Sequence, residues 1–305
     1  MILAVASGKG GTGKTTVAAA LARLWPTRRI AVDLDVEAPN LHLFLAPEVT
    51  GREDAALTVP EVAHPERCTG CGACGDICAF KAVLAFGDFP VVFPEMCHAC
   101  GGCFAVCPEA VFAPGRRLLG EMRWGSAAAP QGERFGYLAG EMRVGEAMSP
   151  PLIRAVTRRL QEMLAAGGGD AILDAPPGVS CPVMEAVRPA DAIVLVCEPT
   201  PFGLHDLDLA WQGFAGLGVP TGVVVNRAGG GGAAGDAAVE DWCAAHRLPV
   251  LARLPFDRAM AAAYARGVPA DAVSAAARAA FAGLVSRVRA LGAGEKMREA
   301  CHGGI

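Results

Sequence analysis

The sequence predicts a doubly wound, mostly parallel α/β sheet with a small α+β domain inserted into it. Three observations carry that expectation. Short apolar runs alternate with helix-like stretches, a glycine-rich loop joins the first run to an alanine-rich stretch, and eight of the twelve cysteines fall between Cys68 and Cys107. Continuous apolar runs, without the alternation of a half-exposed strand, suit a parallel sheet covered by helices on both faces.

The runs lie at residues 2–6, 30–32, 171–173, 193–196, 223–225 and 250–254, with helical stretches at 17–24, 152–166 and 271–291. This is the order of βαβ units. The alternation fails from about 59 to 116, where turn residues and cysteines dominate. The expected division is therefore 1–58 and 117–305 for the sheet domain and 59–116 for the insertion. Gly-Glu-Met-Arg then occurs twice, at 120–123 and 140–143, around a Gly/Pro/Ala-rich connector. That pattern predicts a hairpin or two short edge strands.

A chain of 305 residues suits one large and one small domain at roughly 100–200 residues each. With 52% hydrophobic and 19% charged residues it falls in the globular class. A net charge of -4 and no dense basic run argue against nucleic acid as the main partner. No apolar run approaches the roughly 20 residues that span a bilayer, so stable membrane insertion is not expected. The first run, interrupted by Lys9, reads as a buried strand and not a signal peptide, which places the chain in the cytoplasm. Clustered cysteines there point to metal before disulfides.

Residues 8–15 read Gly-Lys-Gly-Gly-Thr-Gly-Lys-Thr, which fulfils G-x-x-x-x-G-K-[ST]. A strand before and a helix after let the backbone of Gly8, Gly10, Gly11, Thr12, Gly13, Lys14, Thr15 and Thr16 cradle phosphate. Lys14 is placed to reach the β- and γ-phosphates of ATP, and Thr15 to set its hydroxyl on Mg²⁺. Lys9 is not required by the pattern. Two ammonium groups on one loop repel unless an anion lies between them, so Lys9 too is expected to serve phosphate charge.

This loop resembles the deviant Walker A loop of the MinD/ParA/Mrp superfamily, which includes the nitrogenase iron protein. The resemblance implies a P-loop NTPase fold and a nucleotide-sandwich homodimer in which Lys9 reaches the partner's nucleotide. It further implies that Asp33 supports the Mg²⁺ shell and Asp35 orients the attacking water. Asp-Ala-Pro-Pro-Gly at 174–178 resembles the Walker B and switch II segment, with Asp174 near Mg²⁺ and Gly178 donating to the γ-phosphate. Asn226 matches the asparagine that recognises adenine, although an Asn ending a strand also caps helices. Pro255-Phe256-Asp257 completes the match. The catalytic set implied is Lys9, Lys14 and Asp35.

Cys68, Cys71, Cys74 and Cys78 have the spacing C-x₂-C-x₂-C-x₃-C, and Cys97, Cys100, Cys103 and Cys107 repeat it before Pro108. This is the run of bacterial two-cluster ferredoxins, in which the fourth cysteine ligates the other cluster. One 4Fe-4S cluster is then expected on Cys68, Cys71, Cys74 and Cys107, and a second on Cys97, Cys100, Cys103 and Cys78. Zinc prefers ligand pairs with longer spacers and fits this arrangement poorly. Ala79 stands where proline is usual. Cys181 reads as a buried switch-region thiol, Cys197 and Cys243 as structural, and Cys301 lacks a C-x-x-C partner.

The expected function is a Mg²⁺-dependent ATPase whose nucleotide-driven dimer switch gates electron transfer through two 4Fe-4S clusters to an unidentified redox partner. Two alternatives stay open. One is a carrier or scaffold passing metalloclusters to an acceptor protein, and the other a redox-sensing spatial organiser of the MinD/ParA type.

Overall fold

The computed structural model describes residues 1–87 and 89–302, with side chains described outside 294–302. It divides into two compact units, one of residues 1–52, 122–141 and from 153 onward, the other of residues 53–121 and 142–152. The strands are β1 (Ile2–Ala6), β2 (Arg29–Asp33), β3 (Glu48–Val62), β4 (Val83–Phe86), β5 (Phe89–Val92), β6 (Phe112–Ala128), β7 (Arg134–Met142), β8 (Asp170–Asp174), β9 (Ala192–Cys197), β10 (Thr221–Ala228) and β11 (Val250–Pro255). The α-helices are α1 (Lys14–Leu24), α2 (Leu41–Leu45), α3 (Ala73–Ile77), α4 (Gly102–Val106), α5 (Ser149–Gly167), α6 (Cys181–Val187), α7 (Pro201–Phe214), α8 (Gly232–Ala245), α9 (Arg258–Tyr264) and α10 (Ala275–His302).

Among the described residues, one sheet has the order β11-β10-β9-β1-β8-β2-β7-β6-β3. From β11 to β7 every pairing is parallel. Residues 3–6 of β1 and all of β2 and β9 are buried, because helices cover both faces. α1 presses residues 17–22 into the core, and α10 adds Phe281, Leu284, Val285 and Val288 at the i, i+3, i+4, i+7 spacing of one helix face. Arg29, 1% exposed, closes the base of α1. Its Nε donates to the carbonyl of Ala22 at 2.8 Å, and its Nη1 to Glu133 Oε1 at 2.9 Å. The first of these bonds satisfies a carbonyl that a helix end otherwise leaves open.

The topology sets the site. β1, β2 and β8 are neighbours, and their C-terminal ends carry the phosphate loop, Asp33 and Asp174. Asp33 lies opposite Asp174 in the parallel register, and Val5 opposite Asp174 on the other side. In open parallel sheets, ligands bind outside the carboxyl ends of the strands.

The repeated Gly-Glu-Met-Arg segments fall in β6 and at the end of β7. The turn between these strands closes through Ala129 N–H to Glu133 O at 2.7 Å and Gly132 N–H to Ala129 O at 2.9 Å. The strands are not short, since β6 has 17 residues. Positions 59 and 116, read from the sequence as domain limits, fall inside β3 and β6, and the compact second unit begins earlier, at Glu53.

Within that second unit, β4 and β5 pair antiparallel from Val83 opposite Val92 to Phe86 opposite Phe89. Its cores mix cysteine with valine, leucine and phenylalanine. One gathers Val83, Cys103, Val111 and Phe112 against Cys68, Cys74, Cys78 and Cys107, and another gathers Val59, Ala82 and Cys97.

Among the described residues no helix is long and apolar enough to cross a membrane. The side chains of residues 294–302, that of Cys301 among them, lie outside those described.

Candidate functional site

At the carboxyl end of the sheet a cleft of about 410 Å³ is lined by Lys9, Gly10, Gly11, Gly13, Lys14, Thr15, Thr16, Asp35 and Asn226, and across from them by Phe256, Met260 and Tyr264. The loop is shaped by glycine at two places where nothing else fits. A Cβ on Gly8 would lie 1.9 Å from the carbonyl oxygen of Asp206, and one on Gly13 would lie 2.2 Å from Asn226 Nδ2, with φ at +93°. Gly13 in the left-handed conformation starts α1, so the first-turn N–H groups of that helix face the cleft. Gly8→Ala is expected to lower folding stability by about 1–3 kcal/mol, because backbone must move. The check is the urea midpoint of Gly8→Ala against Gly10→Ala, whose added Cβ meets nothing within 4 Å.

Three carboxylates face one ammonium at the loop's base. Lys14 Nζ is 2.6 Å from Asp174 Oδ1, with both side chains buried. Burial disfavours the charged lysine, but Asp174, with smaller help from Asp35 and Asp33, outweighs it and holds the ammonium above its usual range. Asp33 is fully buried. Burial and then the Asp174 carboxylate push its carboxyl well up, although the N–H groups of Leu41 (2.9 Å) and Asp35 (3.1 Å) bond to it. Burial pushes Asp35 up to about 6, with Lys14 opposing and Asp174 adding to the rise.

The second oxygen of Asp174, Oδ2, is buried without a hydrogen-bond partner. An orphaned carboxylate oxygen beside a second carboxylate is the setting a hard divalent cation fits. Thr15, Asp33 and Asp174 supply the oxygen donors that could hold Mg²⁺.

Asn226 Nδ2 donates to the Thr12 carbonyl at 2.6 Å and so braces the loop. The N–H of Gly178 donates to the Ser7 carbonyl at 2.9 Å, which commits the group expected to serve a γ-phosphate. Lys9 is partly exposed and lies 3.7 Å from both Glu198 Oε2 and Asp206 Oδ2. Glu198 also pairs with Arg227, whose Nη2 donates to the Gly11 carbonyl at 3.2 Å. Sequence reasoning missed Glu198, Asp206 and Arg227. The only signal for Glu198 is its place just after an apolar strand.

The eight clustered cysteines fall into two sets that line separate cavities. Cys68, Cys71, Cys74 and Cys107 line one cavity, and Cys78, Cys97, Cys100 and Cys103 line another. N–H groups reach sulfur from Ala82 to Cys78 (3.2 Å), Ala99 to Cys97 (3.4 Å) and Val111 to Cys107 (3.4 Å). Burial pushes the Cys74 and Cys103 thiols up. At Cys78 the N–H groups of residues 80–83 together overcome burial and bring the thiol down. Four thiols around each cavity, with amides aimed at several sulfurs, suit iron-sulfur ligation. Among the described residues, no three His, Cys, Asp or Glu groups are gathered into a ready metal site. His98 is exposed and stacks on Phe80 at 3.5 Å.

The expectation for Cys181 is overturned: it is exposed. It opens α6, and the face that α6 buries carries Val183, Ala186 and Val187, so a residue two places before Val183 points away from the core. Cys197 and Cys243 are buried, and burial pushes their thiols up to about 12 and about 11.

Residues 3–270 match the CobQ/CobB/MinD/ParA nucleotide binding domain. The chain belongs to this family. Among curated relatives of this CobQ/CobB/MinD/ParA chain, an uncharacterised protein of Methanocaldococcus jannaschii is 34% identical over 209 residues, 68% of this chain and 70% of the relative. A second uncharacterised protein of that organism is 29% identical over 240 residues, 75% of this chain and 81% of its own. The fold is shared with the cell division ATPase MinD of Pyrococcus furiosus, with a TM-score of 0.54 and 22% identity, covering 95% of this chain and 98% of that one. MinD of Pyrococcus horikoshii, solved with Mg-ADP, gives 0.54 and 21%, covering 94% and 95%.

Proposed function

We propose that this member of the CobQ/CobB/MinD/ParA family is a Mg²⁺-dependent ATPase that closes as a homodimer around nucleotide and couples that switch to electron transfer through two 4Fe-4S clusters. The observation that carries the reading is one chain holding both a cleft with a buried Lys14–Asp174 pair and two cavities each lined by an interleaved set of four cysteines.

Hydrolysis joins a water oxygen to the γ-phosphorus and breaks the bond to the β-phosphate bridging oxygen. The loop amides and Lys14 bind and neutralise the phosphate oxygens on which charge grows. Asp35, in the cleft wall, holds the attacking water, while Asn226 and the opposing apolar wall hold the base. Lys9 contributes charge across the dimer. Mg²⁺, held by Thr15, Asp33 and Asp174, would supply further charge neutralisation. The clusters, held by Cys68, Cys71, Cys74 and Cys107 and by Cys78, Cys97, Cys100 and Cys103, would supply one-electron chemistry toward a redox partner.

A raised carboxyl at the cleft wall has a pH signature. If ionised Asp35 holds the water, the rate falls as pH drops through about 6, the value to which Asp35 is pushed, because protonation removes the acceptor. The limb has unit slope. Asp35→Asn is expected to slow turnover by about 10²–10⁴-fold and to flatten that limb. Steady-state phosphate release from pH 5 to 8 checks both.

The whole reading is tested by anaerobic purification, iron and sulfide analysis, and ATPase rates with the protein oxidised and reduced. Iron-loaded protein whose ATPase rate changes with redox state supports coupling. Equal rates in both states remove it, and transfer of iron and sulfide to an apo-acceptor moves the reading to cluster delivery.

A further inference from the structure

The second unit contains the same short motif twice. Pro-Glu-Arg-Cys at 65–68 and Pro-Glu-Met-Cys at 94–97 each open one cysteine run. Each folds as a single 3₁₀ turn closed by the cysteine N–H on the proline carbonyl, at 3.1 Å in both copies. The backbone is duplicated, but the surroundings are not.

Arg117 projects into the second copy. Its Nη1 donates to the carbonyls of Pro94 at 2.8 Å and Cys97 at 3.3 Å. Its Nε donates to Glu146 Oε2 at 3.1 Å, and Nη2 to Glu146 Oε1. The Arg117 side chain is 4% exposed and that of Glu146 0%. Glu146 is itself fixed, since its Oε1 accepts the N–H groups of Ala147 at 2.9 Å and Met148 at 3.0 Å. In the first copy the charged side chain at the turn, Arg67, is 53% exposed and 3.9 Å from Glu66. An exposed pair of that kind contributes little, whereas a buried guanidinium stays charged and acts over a short range in a poorly screened interior.

We propose that Arg117 is a positioning residue that makes the two cysteine sets unequal. It fixes the turn that presents Cys97 and holds the positive end of the Arg117–Glu146 pair against that set, so the cluster held by Cys78, Cys97, Cys100 and Cys103 is reduced before the other. The proposal rests on the reading that both sets hold clusters. The sign follows from charge alone. Reduction adds an electron to a centre already ringed by thiolates, and a fixed cation beside it favours that state. Glu146 works against this, being the anion of the pair. Removing Arg117's charge and removing Glu146's charge must therefore move the potential in opposite directions. A role confined to packing predicts no such opposition.

The test uses the full chain purified anaerobically, with iron and sulfide assayed and electron paramagnetic resonance followed through a reductive titration. Wild type is expected to hold about eight irons and to show two signals that appear in separate steps. Cys100→Ser identifies the signal of the Cys97 set. Arg117→Gln is expected to move that signal to lower potential and leave the other in place. Glu146→Gln is expected to move it higher, and Arg117→Lys to restore part of the wild-type position. Loss of about half the iron in Arg117→Gln, leaving only the other signal, also supports the proposal. Signals that move together, or do not move while iron stays intact, overturn it. So does loss of all iron from both Arg117→Gln and Arg117→Lys. Wild-type protein without iron overturns this proposal together with the cluster reading, and so separates that failure from the others.

Discussion

Replacing Lys14 by Ala is expected to lower kcat for ATP hydrolysis by about 10²–10³-fold, the usual loss when one preorganised charge donor is removed. The same change strips Asp174 of its partner. A buried carboxylate left beside Asp33 without a counter-charge costs about 3–5 kcal/mol of stability, unless it takes up a proton. The two effects separate in a double variant. Lys14→Ala with Asp174→Asn removes both charges of the 2.6 Å pair and is expected to regain most of the stability while hydrolysis stays lost. Urea denaturation and phosphate release on the wild type, both single variants and the double variant decide this. Full activity in Lys14→Ala would sink the assignment of the cleft.

On the proposal that both cysteine sets hold clusters, removing iron is expected to unfold the second unit and leave the first standing. The cause lies in what its cores are made of. Cys103 shares its core with Cys68, Cys74, Cys78 and Cys107 beside Val62, Val83, Val92, Val111, Phe104 and Phe112, and Cys97 shares a smaller one with Cys78, Leu57, Val59 and Ala82, so thiols make up nearly half of the side chains that hold this unit. Where ligand binding and folding are one equilibrium, chelation denatures. Limited proteolysis before and after chelation is expected to show new cuts within 59–116 only after iron is removed, with nucleotide binding retained. Equal protease resistance in both states would show that the unit folds without iron.

The strands legible in the sequence are those whose both faces are covered. β1, β2, β8, β9, β10 and β11 each contain one of the apolar runs. β3 reads Glu-Val-Thr-Gly-Arg-Glu-Asp-Ala-Ala-Leu-Thr-Val-Pro-Glu-Val, with most of its first eight residues exposed, and it ends the sheet order. A strand with one exposed face and a free edge needs no apolar run and tolerates Gly and Pro. Its composition therefore reads as loop. β6 lies between β7 and β3 and has no free edge, but its buried positions are scattered among partly exposed ones and Pro114, Gly115, Gly120 and Gly125 fall inside it, so it too shows no apolar run.

At the site, the loop was legible because Gly8 and Gly13 stand where a side chain does not fit, and the two cysteine sets because their spacing is nearly unique. Arg117 and Glu146 were not. They stand 29 positions apart, neither belongs to a motif, and nothing in their immediate neighbours marks an arginine that folding will bury. Glu198 and Arg227 escaped for the same reason, since their meeting depends on β9 and β10 lying side by side.

Glu198 is also a substitute for something. It answers Arg227 directly and shares Lys9 with Asp206, each at 3.7 Å, so the two carboxylates together already answer both cations from their own chain. A nucleotide arriving there exchanges one anion for another instead of filling an empty charge. Dissolved salt weakens the outgoing contact and the incoming one alike. Affinity for nucleotide should therefore fall less steeply with ionic strength than the number of basic groups lining the cleft suggests.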